Sequence, residues 1–319
     1  MVETKVTQRK GVIDKKGLMT EDATLMNNSA GSGTSKQKRR LYTWEEIPEW
    51  QRDNEHIRSG YIIETKSLKE CFCSLFYLHN ESVNIYTHLL PGICFLSVVL
   101  FDNYAIKKFV TTTWIDYAMI DLFFLGGFTC LMMSSLFHCL KCHSIEVAVF
   151  GNKLDYLGIV ALVVSSMVSI LYYGFHDNKP YFFIFSGFTA LFGAGCTIAS
   201  LKERFRSREW RAYRAALFVA FGLSALLPVI AGLVRYGLVE TWARIQLKWI
   251  ILEGVFYILG AVLYGTRIPE RLVPGTFDIW GNSHQIFHVL VVVAALCHLR
   301  ALLGAYELVH MNLLKDAGF

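Results

Sequence analysis

From Asn84 onward the chain consists of long apolar blocks, and their length is what most narrows the fold. A helix needs about 20 residues, at roughly 1.5 Å rise each, to cross a bilayer's hydrocarbon core of about 30 Å. Seven stretches meet this: Ile85 to Phe101, Tyr117 to Leu140, Leu154 to Tyr173, Tyr181 to Leu201, Arg214 to Val234, Leu247 to Tyr264 and Gln285 to Ala305. The first is the shortest and contains Pro91, so its limits are the least defined. A composition of 54% hydrophobic and 18% charged residues agrees, being more apolar and less charged than soluble domains usually are. The sequence therefore predicts an all-α membrane protein, a seven-transmembrane helix bundle.

The first eighty or so residues differ in kind. Residues 1–41 are rich in Lys, Ser, Thr, Gly and Asn and lack the apolar core and cleavage site of a signal peptide, which predicts a disordered tail. Its basic cluster, Lys36, Lys38, Arg39 and Arg40, reads first as a topology-setting charge run and second as a contact for anionic lipid. A juxtamembrane segment follows over 42–83. Its run Leu68 to Leu78, with Leu68, Phe72, Leu75, Phe76 and Leu78 apolar, predicts a short amphipathic helix along the membrane surface. The membrane domain spans 84–306, and 307–319 form a short tail. The net charge of +5 carries no signal for nucleic acid.

Lys and Arg concentrate in cytoplasmic loops. Placing the N-terminus inside gives the inner loops Lys141, Lys153, the run from Lys202 to Arg214, Arg267 and Arg271, against Lys107, Lys108, Lys179, Arg235, Arg244, Lys248 and Lys315 outside. The bias favours a cytoplasmic N-terminus and an outer C-terminus. That is the reverse of the G-protein-coupled receptor arrangement.

His284 and His288 lie four apart at the inner start of the seventh helix, so their imidazoles share one face about 6 Å apart. His138 ends the second helix, which runs from outside to inside, and so reaches the same depth. Three histidines on two helices, with a fourth position open to water, match a catalytic metal site more than a closed structural one. Ligation also explains polar side chains at membrane depth, because a ligating imidazole is neutral. Asp155, expected at the start of the third helix, is a candidate hydrogen-bond partner for a metal-bound water or a ligand imidazole. An aspartate in a first turn also simply favours the helix dipole. Ser134, one turn above His138, is a candidate to hold the water or polarise a carbonyl, although intramembrane serines more often bond a backbone carbonyl.

Other polar residues carry less. His298 is about 15 Å along the helix from His288, too far to share an ion, and is expected to bond a neighbouring helix. The run His138, Cys139, Cys142, His143 spells a metal knuckle but straddles a helix end without a second cysteine pair. Four of the eight cysteines, Cys94, Cys130, Cys196 and Cys297, sit in apolar blocks, and no disulfide framework is implied. Glu253, inside the sixth block, has no evident partner. The triplet Asn80, Glu81, Ser82 matches a glycosylation sequon, inert on the cytoplasmic side.

Five passages together resemble the progestin and adipoQ receptor family, also called the adiponectin-receptor and haemolysin-III family. They are TWEEIPEWQRDNEHIRSGY (Thr43 to Tyr61), FYLHNESVNIYTHLLPG (Phe76 to Gly92), SSLFHCLKCHS (Ser134 to Ser144), KLDYLGI (Lys153 to Ile159) and RIPERLVPGTFDIWGNSHQIFHVLVVVAA (Arg267 to Ala295). They are most similar to the adiponectin-receptor branch, and the short basic tail resembles its fungal members. The resemblance implies a zinc ion (Zn2+) held by His138, His284 and His288, a water on it hydrogen-bonded to Asp155, and Ser134 nearby. It further implies ceramide hydrolysis, or in fungi a part in zinc homeostasis and lipid metabolism. Glu253 is a departure from what it leads one to expect.

Two readings follow. In the first, zinc lowers the pKa of its water towards about 7, Asp155 takes the proton, and the hydroxide attacks a ceramide amide, as in a ceramidase-type hydrolase. In the second, the zinc is structural and the protein is a non-catalytic receptor responding to a lipid or an extracellular protein ligand. The expected partners are accordingly a lipid within the bundle, ceramide or a free fatty acid, and such a protein ligand, in the plasma membrane or the endoplasmic reticulum. Zinc transport would need a polar path across the bilayer, and the sequence has no ladder of carboxylates and histidines to provide one.

Overall fold

The computed structural model describes residues 40–101, 106–202 and 208–318. The expected disordered tail, except Arg40 and Leu41, lies outside the described residues, as do Lys36, Lys38 and Arg39 of its basic cluster and Arg204 and Arg206 of the fourth connection.

Among the described residues, seven helical spans are long and apolar enough to cross a membrane, and no strand is present beyond an isolated bridge between Tyr42 and Tyr61. The helices are α1 (Leu68–Cys73), α2 (Ser82–Leu100), α3 (Trp114–Leu140), α4 (Ile145–Gly174), α5 (Lys179–Leu201), α6 (Arg211–Leu223), α7 (Leu226–Arg244), α8 (Leu247–Thr266) and α9 (Ser283–Asp316). The short α1 lies outside the spans, and α6 and α7 together make the fifth one.

Most spans begin earlier than hydropathy suggests, because polar caps start them before the apolar run. Thr113 and Asp116 form a reciprocal capping box at α3, Ser144 accepts from the Val147 amide at α4, and Asn282 accepts from the Gln285 amide at α9. Helix α2 runs straight through Pro91. In the fifth span, Gly237 leaves the helical region at φ +79, a conformation glycine reaches without a Cβ clash, close to the expected end at Val234.

Two expectations change. The predicted amphipathic helix over Leu68 to Leu78 is helical only to Cys73. The Ser74 hydroxyl donates to the Cys71 carbonyl at 2.6 Å, and a 3₁₀ turn follows. Its Leu68, Phe72, Phe76 and Leu78 point away from the bundle. The seventh span does not end at Ala305 but continues to Asp316, held by side chains of its last turns. Tyr306 donates to the Lys107 carbonyl at 2.7 Å, and His310 lies 2.7 Å from Thr111 Oγ1 and 3.2 Å from the Asp116 carboxylate.

The core lies between α2, α3, α4 and α9, around Phe95, Phe123, Leu131, Leu162, Val291 and Leu302. By contrast α5, α7 and α8 present many apolar side chains outward, as lipid-facing helices do. Inside a membrane, helix association depends on close packing of small residues. Here α3 and α4 approach so closely that a Cβ on Gly126 would stand 1.8 Å from Ser165 Oγ, and one on Gly158 would stand 2.9 Å from the Cys130 Cα.

Gly126→Val therefore lowers the thermal midpoint of the purified protein, with overpacking of this kind costing about 1–3 kcal/mol. Gly187→Ala, at a glycine whose added Cβ meets nothing within 4 Å, leaves the midpoint unchanged or raises it. Scanning fluorimetry in one detergent compares the two.

Candidate metal centre

The site lies where the end of α3 meets the beginnings of α2 and α9, at the bundle end covered by the segment 40–66. Helix α3 carries His138 two residues before its last residue, and the Asn282 cap starts α9 so that His284 and His288 fall in its first two turns. Each of the three histidines offers a ring nitrogen, and these three nitrogens lie within 4.8 Å of one another. The ring centroids are 4.8 to 4.9 Å apart with steep interplanar angles, so the rings converge edge to face. His138 and His288 are buried and His284 is half-buried.

The outward nitrogens of the two buried rings are already committed. His138 Nδ1 is 2.7 Å from Glu81 Oε2, and His288 Nδ1 is 3.1 Å from the Asn84 carbonyl. Both partners are acceptors, which fixes Nδ1 as the protonated nitrogen and leaves each Nε2 with a lone pair. His138 Nε2 is buried without a hydrogen-bond partner. A buried ring nitrogen aimed at two other imidazoles while its opposite edge is held by a carboxylate is the arrangement of a metal-ligating histidine. The group thus fits a divalent transition metal that favours imidazole.

Glu81 was not visible as a site residue in the sequence, where it is only the middle of an inert sequon. In the fold its second oxygen accepts from Lys141 Nζ at 2.6 Å. Burial by itself would push the Glu81 carboxyl up and the Lys141 ammonium down. Their mutual attraction, with His138 beside Glu81, outweighs it and holds Glu81 well below the usual carboxylate range and Lys141 above the usual lysine value. His88 of α2 was missed as well: its ring stacks on His288 with centroids 3.8 Å apart and planes 4° from parallel. Its one sequence signal is a position four residues after Asn84, on the same face of α2.

Asp155 does not begin a helix. Helix α4 starts at Ile145, so Asp155 is nearly three turns inside it and the dipole explanation lapses. Its side-chain hydrogen-bond partner is the Ser134 hydroxyl, and it interacts electrostatically with His138 and Lys141. The fold therefore brings Asp155 and Ser134 to the histidines. Glu253 also acquires a partner: His298 Nδ1 lies 2.8 Å from Glu253 Oε2, joining α9 to α8 as His298 was expected to bond a neighbouring helix.

A polar recess lined by Asp53, Asn54, Glu81, Lys141, Tyr264 and His284 adjoins the site from the side of the N-terminal segment. That segment is fastened over it. Asn54 donates to the buried Glu270 at 3.1 Å, the Ser283 amide donates to the same carboxylate at 2.7 Å, and Asp278 accepts from the Arg58 amide and the Ser59 hydroxyl.

The profile of the haemolysin-III-related family matches residues 76–299. The chain is 59% identical over 290 residues to the ADIPOR-like receptor IZH2 of Saccharomyces cerevisiae, covering 91% of this chain and 92% of that protein. It is 46% identical over 294 residues to the ADIPOR-like receptor IZH1 of Eremothecium gossypii, covering 92% and 93%. It is 40% identical over 259 residues to the adiponectin receptor protein of Drosophila melanogaster, covering 80% of this chain and 57% of that protein.

Replacing Glu81 with Gln keeps an acceptor for His138 but removes the charge that orients it and balances Lys141. Metal affinity, measured by competition with a chromogenic chelator, falls about 10- to 100-fold, the usual effect of losing such a partner. Unchanged affinity would show that His138 needs no carboxylate behind it.

Proposed function

The chain belongs to the haemolysin-III-related family, on its adiponectin-receptor side, and from that premise we propose that His138, His284 and His288 hold a zinc ion and that the protein is a lipid amide hydrolase of the ceramidase type. The carrying observation is the buried, unpartnered His138 Nε2 facing two further imidazoles, with Asp155 beside them. Three imidazoles with a fourth position open are the donor set of catalytic zinc. When bound, zinc supplies Lewis acidity to a water and to a lipid carbonyl.

The chain's own residues do the rest. Asp155 is the proton acceptor, held beside the histidines by its hydrogen bond with Ser134. The Ser134 hydroxyl donates a hydrogen bond to Asp155 and so fixes the direction of the carboxylate. Glu81 and Asn84 hold the protonated edges of His138 and His288, leaving both lone pairs towards the ion. The polar recess admits water and takes the polar end of a substrate, while the apolar bundle takes its chains. The excess of Lys and Arg on the connections at this end supports a cytoplasmic placement of the site.

The relatives' names favour a second reading, a receptor in which the ion clamps α3 to α9 and does no chemistry. One experiment separates them. With a fluorescent ceramide, the zinc-loaded protein turns substrate over. Asp155→Ala loses about 10²- to 10⁴-fold in rate, the usual contribution of a positioned acid or base, while metal content stays at the wild-type level. His138→Ala loses the metal. Full zinc occupancy without turnover of any long-chain amide would leave the receptor reading.

A further inference from the structure

Of the run His138, Cys139, Cys142 and His143, only His138 joins the metal cluster. The two cysteines turn instead towards α1, where Cys71 is fully buried. Cys142 Sγ stands 3.5 Å from Cys71 Sγ and donates its S–H to it. Thr65 Oγ1 lies 3.4 Å from the same sulphur. Around the pair the backbones are tied by two hydrogen bonds: the Thr65 amide donates to the Cys142 carbonyl and the Lys66 amide to the His143 carbonyl, each at 2.9 Å. The two sulphurs thus face each other across a seam between segments 71 residues apart in sequence.

We propose that Cys71 and Cys142 are a redox-labile dithiol that closes to a disulfide across this seam and fastens α1 to the turn following α3. The sulphurs need to approach from 3.5 Å to about 2.05 Å, a shift within the reach of side-chain rotation on a short helix and a turn. The Cys142 hydrogen bond is the main influence drawing the Cys71 thiol towards thiolate, and it holds the Cys142 proton in place. Burial excludes bulky oxidants, so the oxidant is a peroxide. The Cys71 thiolate attacks one peroxide oxygen, the O–O bond breaks, and a sulfenic acid forms as hydroxide leaves and takes up a proton. Cys142, losing its proton, then attacks the sulfenic sulphur, the S–S bond forms and water leaves. Two thiols are oxidised and one hydrogen peroxide is reduced to two waters. Dithiol reductants reverse the closure by exchange. The turn so fastened begins with Lys141, the ammonium that balances Glu81.

The test uses the full chain in lipid nanodiscs, exposed to hydrogen peroxide, then denatured, alkylated with N-ethylmaleimide and mapped by mass spectrometry, with dimedone present at denaturation to trap sulfenic acid. Cys71 and Cys142 lose alkylation together, a cross-linked peptide containing both appears, and dithiothreitol removes it. Cys139→Ser retains the cross-link, and Cys142→Ser leaves a sulfenic acid on Cys71 that dimedone traps. Amide exchange at Thr65 and Lys66 slows on oxidation. Undiminished alkylation of Cys71 and Cys142 under peroxide that oxidises glutathione in the same sample would overturn the proposal, as would a cross-link from Cys71 to Cys73 or Cys139. Unaltered exchange at Thr65 and Lys66 once the bond has formed would overturn the fastening.

Discussion

The carboxylate of Glu81 sits between the ammonium of Lys141 and the imidazole of His138, and this contact fixes where α2 begins relative to where α3 ends. In an apolar interior a carboxylate or an ammonium left alone costs several kcal/mol, so the groups are stable there only as a set. Their mutual dependence sets the orientation of His138, and through it the side from which a metal meets the cluster. Asn84, in the first turn of α2, does the same for His288 through its backbone carbonyl, and His88 one turn further packs flat against that ring. Helix α2 contributes no ligand, yet it aims two of them.

The same rule organises the bundle elsewhere. At the end away from the histidines, Asp116 takes the Thr113 amide and hydroxyl, meets His310, and receives the Tyr173 hydroxyl, tying α3, α4 and the last turns of α9 together. Midway, Glu253 and His298 join α8 to α9. Between these polar ties the helices rely on shape, with Gly126 against Ser165 and Gly158 against Cys130 letting α3 and α4 approach closely. Directional bonds set register where polar groups are buried, and small residues supply contact where they are not.

Much of this was legible in the chain. The seven spans follow from apolar length, and the pairing of His284 with His288 follows from helical periodicity. What misled was reading each residue by its neighbours in sequence. Asp155 follows Leu154 at the edge of an apolar block, which suggests a helix start, whereas the Ser144 cap places that start ten residues earlier. Glu81 looks like part of a sequon because nothing nearby announces Lys141, sixty residues on. Cys139 and Cys142 look like a knuckle with His138 and His143, although the helix end turns them towards Cys71.

A membrane bundle of seven helices, and three histidines at one depth, follow from the chain alone, because hydrophobic length and the 3.6-residue period are local properties of it. The tertiary structure decided which nitrogen of each ring is free, that Glu81 and His88 stand behind the ligands, that Asp155 answers Ser134 and that Glu253 has a partner. Those outcomes depend on groups 21 to 204 residues apart meeting inside an apolar interior. There each buried polar group must find its complement wherever the packing of whole helices puts one.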